Sequence, residues 1–147
     1  MPIKSFRGMM AAGSSDTITL HTNNGATGYR IKKLQVIPEE PGGISAEFVC
    51  TIFTIDQLTA PTTINFNDQT LIGTAFHRST TATNSDDTAI IIFDNVTFNQ
   101  DIFVYVRDAA GGSNNLNYYI ELEQVKLALD ENTVATLKDI RNIAQSG

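Results

Sequence analysis

The sequence predicts an all-β fold: about eight antiparallel strands in a two-sheet sandwich, jelly-roll-like, with one C-terminal α-helix. Three observations predict it. Of 147 residues, 41% are hydrophobic and only 18% charged, and Thr, Asn, Ser and Gly fill the difference, as in short strands with turn-rich connections. Short apolar runs alternate with breaker clusters such as TNNG, PEEPGG and AAGGSNN over residues 1–129. The final stretch, LDENTVATLKDIRNIAQSG, then changes to a helical period. Eight twisted strands need a second layer to bury their inner face, which favours a sandwich over an open sheet. Strand order is not read from this pattern, and an up-and-down barrel fits the same runs.

The first strand is expected over 3–11, IKSFRGMMA, and the second over 16–21, DTITLH, where Ile18 and Leu20 share one face. TNNGATG turns the chain, with Asn24 and Gly25 tolerant of positive φ. YRIKKLQVI alternates through Tyr29 and Ile31, slips at Lys32 and Lys33, and resumes with Leu34 and Val36. A strand changes faces only by inserting a residue, so this slip predicts a β-bulge. SAEFVCTIFTI is apolar on both sides and therefore central and covered on each face. A long excursion over 56–68 leads to a fifth strand, QTLIGTAFH, and STTATNSDDT reads as an exposed loop. AIIIF, DIFVYVRD and NYYIELEQVKLAL complete the set. The last also slips, from Tyr118, Ile120 and Leu122 to Val125, Leu127 and Leu129, which predicts a second bulge or bend at Glu123 and Gln124.

Residues 1–129 thus form the sandwich domain and 130–145 the helix. Asp130 is a good N-cap, Glu131 complements the positive end of the helix dipole, and Lys138 and Arg141 fall towards its negative end. Val134, Leu137, Ile140 and Ile143 recur every third residue and spread over about half the helix circumference. So short a helix is marginal alone. It is expected to pack on its own sandwich or on a neighbouring subunit.

The composition also excludes. The net charge is −6, which argues against nucleic acid as a direct partner, because phosphate binding draws on clustered Lys and Arg. No segment approaches the ~20 apolar residues of a membrane span, nor is a signal-peptide core visible; no membrane partner is expected. Cys50 reads as a buried thiol, so no disulfide framework is expected. His21 and His77 stand apart at strand ends and read as solvated, without a second ligand at metal spacing. Ser14, Ser15, Asp16 and His21 contain triad residue types but lack a nucleophile elbow. NFND at 65–68 and NSDD at 84–87 match turns better than calcium loops. No enzyme activity and no cofactor are expected.

Charge is unevenly spread. Residues 1–37 carry Lys4, Arg7, Arg30, Lys32 and Lys33 against Asp16, a net +4, which leaves −10 for the remainder. These five cations are expected to meet acidic surface of a neighbouring copy, with Val134, Leu137, Ile140 and Ile143 adding apolar area. Such an assembly weakens as salt rises.

The opening MPIKSFRG, the turn TNNGATGYRI, the segment FDNVTFNQDIFV and the ending NYYIELEQVKLALDENTVATLKDIR resemble a group of small virion structural proteins of tailed bacteriophages infecting marine bacteria. The resemblance is strongest at the two ends, with residues 45–92 more variable. It implies a capsid-associated decoration, cement or minor capsid protein, located in the virion and assembled in the host bacterial cytoplasm. The implied partners are the chain itself, as a homo-oligomer with a trimer favoured, and the major capsid or other virion proteins. The alternative is a ligand- or glycan-binding sandwich for host attachment, with the polar loops at 56–69 and 79–88 as its reading surface and, in the absence of Trp, Tyr118 and Tyr119 as sugar platforms.

Overall fold

A computed structural model describes residues 2–20, 26–41, 45–61, 63–79 and 87–127. Eight strands follow in order: β1 (Ile3–Ala11), β2 (Ser15–Ile18), β3 (Thr27–Pro38), β4 (Ala46–Phe53), β5 (Leu71–Ser79), β6 (Asp87–Ile92), β7 (Ile102–Asp108) and β8 (Asn115–Lys126). All pairings are antiparallel. They form a three-stranded sheet, β1-β8-β3, and a five-stranded sheet, β2-β7-β4-β5-β6. An up-and-down barrel pairs strands in sequence order and closes β1 on β8; the pairing of β2 with β7 and of β3 with β8 rules it out here. The expected helix over 130–145 lies outside the described residues, and so do His21, Asn24, Gly25 and the first three residues of NSDD, whose Asp87 begins β6.

Period-two alternation dictates the main core. Met10, Ile31, Leu34, Val36, Leu116, Ile120 and Leu122 of the small sheet meet Phe48, Cys50, Ile52, Ala75, Ile102, Val104 and Val106 of the large one. β4 is central, between β7 and β5, as its apolar run on both parities requires. Its other face, with Leu71 and Tyr105, forms a second cluster at Phe53 that Ala60, Phe93 and Phe103 help to cover.

The bulge on β3 falls where the slip placed it. Ile31 stands opposite Leu122 and Lys33 opposite Glu121, leaving Lys32 unpaired. No second bulge occurs on β8. Its ladder runs without a shift through Arg30 opposite Glu123, Tyr29 opposite Gln124 and Gly28 opposite Val125. Val125 and Leu127 are nonetheless buried, because here the sheet is covered from its other side: a Cβ on Gly28 would lie 2.9 Å from a Thr97 methyl. Thr97 belongs to the crossing between β6 and β7, which bridges onto β3 through Phe98 and Tyr29. The parity changes because the cover changes.

β2 also stops short of the expected 16–21. Asp101 accepts the Leu20 N–H at 2.8 Å, so a side chain replaces the next ladder bond.

Leu58, in the crossing from β4 to β5, holds φ +63° and is 94% exposed. An L-residue in the left-handed region costs about 1–2 kcal/mol, and Asn tolerates it better. Leu58→Asn is therefore expected to raise the unfolding free energy by about 0.5–1 kcal/mol, read as a higher urea midpoint at constant slope.

Candidate functional site

The outer faces of the two sheets differ. On the large sheet the chain covers itself: the Tyr105 hydroxyl donates to Asp56 Oδ1 at 2.6 Å and accepts the Gln57 N–H at 2.6 Å. That clamp draws the β4–β5 crossing across the second cluster. The Asp56 carboxyl is held below its usual range, chiefly by the Tyr105 hydroxyl and then by the Leu58 N–H.

On the small sheet the outer face is bare among the described residues, apart from the end at Gly28 and Val125 that Thr97 covers. Registered rows cross it: Ile3–Glu123–Arg30, Ser5–Glu121–Lys33, Arg7–Tyr119–Gln35 and Met9–Asn117–Ile37. Ile3, Met9 and Ile37 are half exposed or more. Arg7, Met9, Gln35, Ile37, Asn117 and Tyr119 line an open groove of about 490 Å³. One of its two tyrosines, Tyr119, donates its hydroxyl to Glu121 Oε2 at 2.7 Å. That acceptor raises the Tyr119 pKa, and desolvation adds to the effect.

The expected interface cations divide. Arg7, Arg30 and Lys33 occupy the rows just given, and Lys32 joins them at the bulge, 4.0 Å from Glu123 Oε2. Glu121 and Glu123 stand among them, so this face is mixed in sign. Lys4 lies on the other parity, where its Nζ is 3.3 Å from the Tyr29 hydroxyl and 5.5 Å from the ring centroid. It covers a core aromatic instead. Val134, Leu137, Ile140 and Ile143 lie outside the described residues.

Other candidates resolve into local roles. His77 is not solvated: it is buried, and its Nδ1 stands 2.7 Å from Thr88 Oγ1 across β5 and β6. Tyr118 donates to Asp16 Oδ2 at 2.8 Å, joining the two sheets; it also lines the groove beside Tyr119. Ser14 Oγ donates to the Ala11 carbonyl. Asn65 and Asp68 accept from Asn67 and Thr70 within their own turn. Among the described residues no three His, Cys, Asp or Glu side chains converge as metal ligands, and no helix is long and apolar enough to cross a membrane.

Burial pushes the Cys50 thiol up to about 12, leaving almost no thiolate at neutral pH. Burial and the acceptors Asp56 and Asp16 likewise raise Tyr105, to about 12, and Tyr118. Each of these groups holds its proton more tightly folded than unfolded. Stability is therefore full below their unfolded values and falls as pH rises from about 9 through 12. Chemical denaturation at stepped pH checks this; Tyr105→Phe should flatten the upper part of the decline.

No protein-family model and no curated protein matches the chain.

Proposed function

We propose that the protein is a non-enzymatic structural component of a bacteriophage virion, a capsid-associated decoration, cement or minor capsid protein acting through contacts between copies and with the shell. The contrast between the outer faces carries this reading. One sheet is covered in part by its own chain, which leaves Ile91 exposed at its β6 edge, whereas the other presents Ile3, Met9 and Ile37 among alternating charges. A face of that kind suits repeated docking in a lattice of identical partners.

The strand order supports a jelly-roll-like assignment within the same proposal. A long hairpin of β1–β4 against β5–β8, rolled up, pairs β1 with β8, β2 with β7, β3 with β6 and β4 with β5. Three of those four pairings are present; β6 instead pairs with β5 at the edge of the large sheet. The resemblance of the terminal segments to phage structural proteins points the same way.

Mass spectrometry of gradient-purified particles of the encoding phage tests the reading, together with electron microscopy of their surface. The chain is expected in stoichiometric amount with density for an eight-stranded body. Its absence from purified particles would overturn the proposal.

The groove favours a second reading, a glycan-binding module, because Tyr119 offers a flat face flanked by Arg7, Gln35 and Asn117. A glycan array with wild type and Tyr119→Ala separates the two. Saccharide binding lost in the variant supports attachment; silence on the array favours the structural role.

A further inference from the structure

Among the described residues, the outer edge of β1 is an unused hydrogen-bonding template. The Gln124 N–H donates to the Pro2 carbonyl at 2.9 Å, and the Ala12 N–H donates to the Asn114 carbonyl at 3.1 Å. Both bonds place even-numbered residues of this segment in hydrogen-bonded pairs with β8. Antiparallel pairing alternates strictly, so Ile3, Ser5, Arg7 and Met9 turn their backbone N–H and C=O groups away from β8. Among the described residues no strand pairs with that side.

Edge strands are normally blunted by proline, a bulge or short length. The outer edge of β3 has the bulge at Lys32, the bridge from Tyr29 to Phe98 and a terminal Pro38. β2 has only four residues and β6 six, against nine in β1. β1 has neither a proline nor a bulge along its length; of the further blunting device, charged side chains, it carries Lys4 and Arg7, which a pairing must keep from opposing like charges. It is the long, flat edge of the molecule.

We propose that two copies of the chain pair through this edge, β1 against β1 about a two-fold axis at Phe6, joining two three-stranded sheets into one. This deepens the assembly reading and rests on it for the choice of a second copy as occupant. The register follows from the sequence of the strand. Outward residues must oppose outward residues, and the axis must not oppose like charges. An axis at Lys4 sets Lys4 against itself, and an axis at Arg7 does the same to Arg7. An axis at Ser5 leaves Met9 without an outward partner.

An axis at Phe6 engages all four outward residues. Ile3 then opposes Met9 of the second copy, and each covers a side chain that is otherwise about half exposed. Ser5 opposes Arg7 of the second copy. Because Glu121 is the β8 neighbour of Ser5, each Arg7 comes to lie two strand spacings, about 9.6 Å, from the other copy's Glu121 across the short Ser5 side chain, with charges of opposite sign in one row. On the inner side Phe6 meets Phe6. This isologous pair differs from a head-to-tail trimer, and solution mass separates them.

Sedimentation of the full chain should give twice the chain mass. Ser5→Pro should halve it, since the lost N–H points outward and the β1–β8 ladder keeps its bonds; circular dichroism should be unchanged. Phe6→Cys should form a disulfide-linked dimer on mild oxidation, because a non-hydrogen-bonded pair brings Cα atoms to about 4.5 Å, within disulfide range. Lys4→Cys, facing Gly8 of the second copy, should not. A single-chain mass for wild type, an oligomer indifferent to Ser5→Pro while folded, or no Phe6→Cys crosslink would each overturn the pairing. Presence in purified particles without this pairing would remove the inference alone; pairing without presence there would remove the virion reading alone.

Discussion

Phe48→Ala is expected to lower the unfolding free energy by about 3–5 kcal/mol, the range for a deleted core phenylalanine. Phe48 is wholly buried, and its strand is held on both sides, by His77 of β5 and Asp108 of β7. Neither neighbour can slide inwards to fill the void without breaking a ladder, so little relaxation offsets the loss. Against a total of about 5–15 kcal/mol for a domain of this kind, that is a large fraction. Urea denaturation should show a lower midpoint with an unchanged slope. A loss under about 1 kcal/mol would mean that the two sheets do not close on β4.

Gly8→Val is the second large effect, and its cause is a ring. A Cβ at Gly8 would stand 2.9 Å from the Tyr118 hydroxyl and about 3 Å from two ring carbons. Glycine is needed here for close approach, with Tyr118 lying across the strand to reach Asp16 on the opposite sheet. Forcing the ring aside costs about 1–3 kcal/mol in overpacking, and a further ~1 kcal/mol if the bond to Asp16 breaks. The diagnostic measurement is a double-mutant cycle with Tyr118→Leu. Once the ring is gone the valine has room, so the two losses should sum to more than the double variant shows, by at least ~0.5 kcal/mol. Simple additivity would mean that the contact does not govern the site.

Much of this architecture is visible in the residues themselves. The limits of β1, the centrality of β4 and the bulge at Lys32 all follow from parity along a single strand, which is a local property. What escapes depends on pairing between distant segments. His77 reads as solvated until Thr88, on the next strand, supplies its hydrogen bond. The slip at Glu123 reads as a bulge because burial by Thr97 on the far face leaves the same pattern as an inserted residue. The charge asymmetry is real in composition, yet register brings Glu121 and Glu123 among Arg7, Arg30, Lys32 and Lys33 from far along the chain. The bare face itself had a weak signal, the exposed-parity apolar residues Ile3, Met9 and Ile37, which alternation alone assigns to solvent.

The middle strand of the small sheet is also the last of the eight to leave the ribosome. β1 and β3 do not touch each other as a ladder; the ladder of each is formed with β8. During synthesis they must wait, unzipped, until residues 115–126 emerge. Closure then demands a loop of more than one hundred residues between β1 and β8, which places this chain among slow folders of high contact order, on the order of milliseconds to seconds. Throughout that interval the β1 segment has no intramolecular partner, and nascent chains on one polysome could meet through it before either is complete.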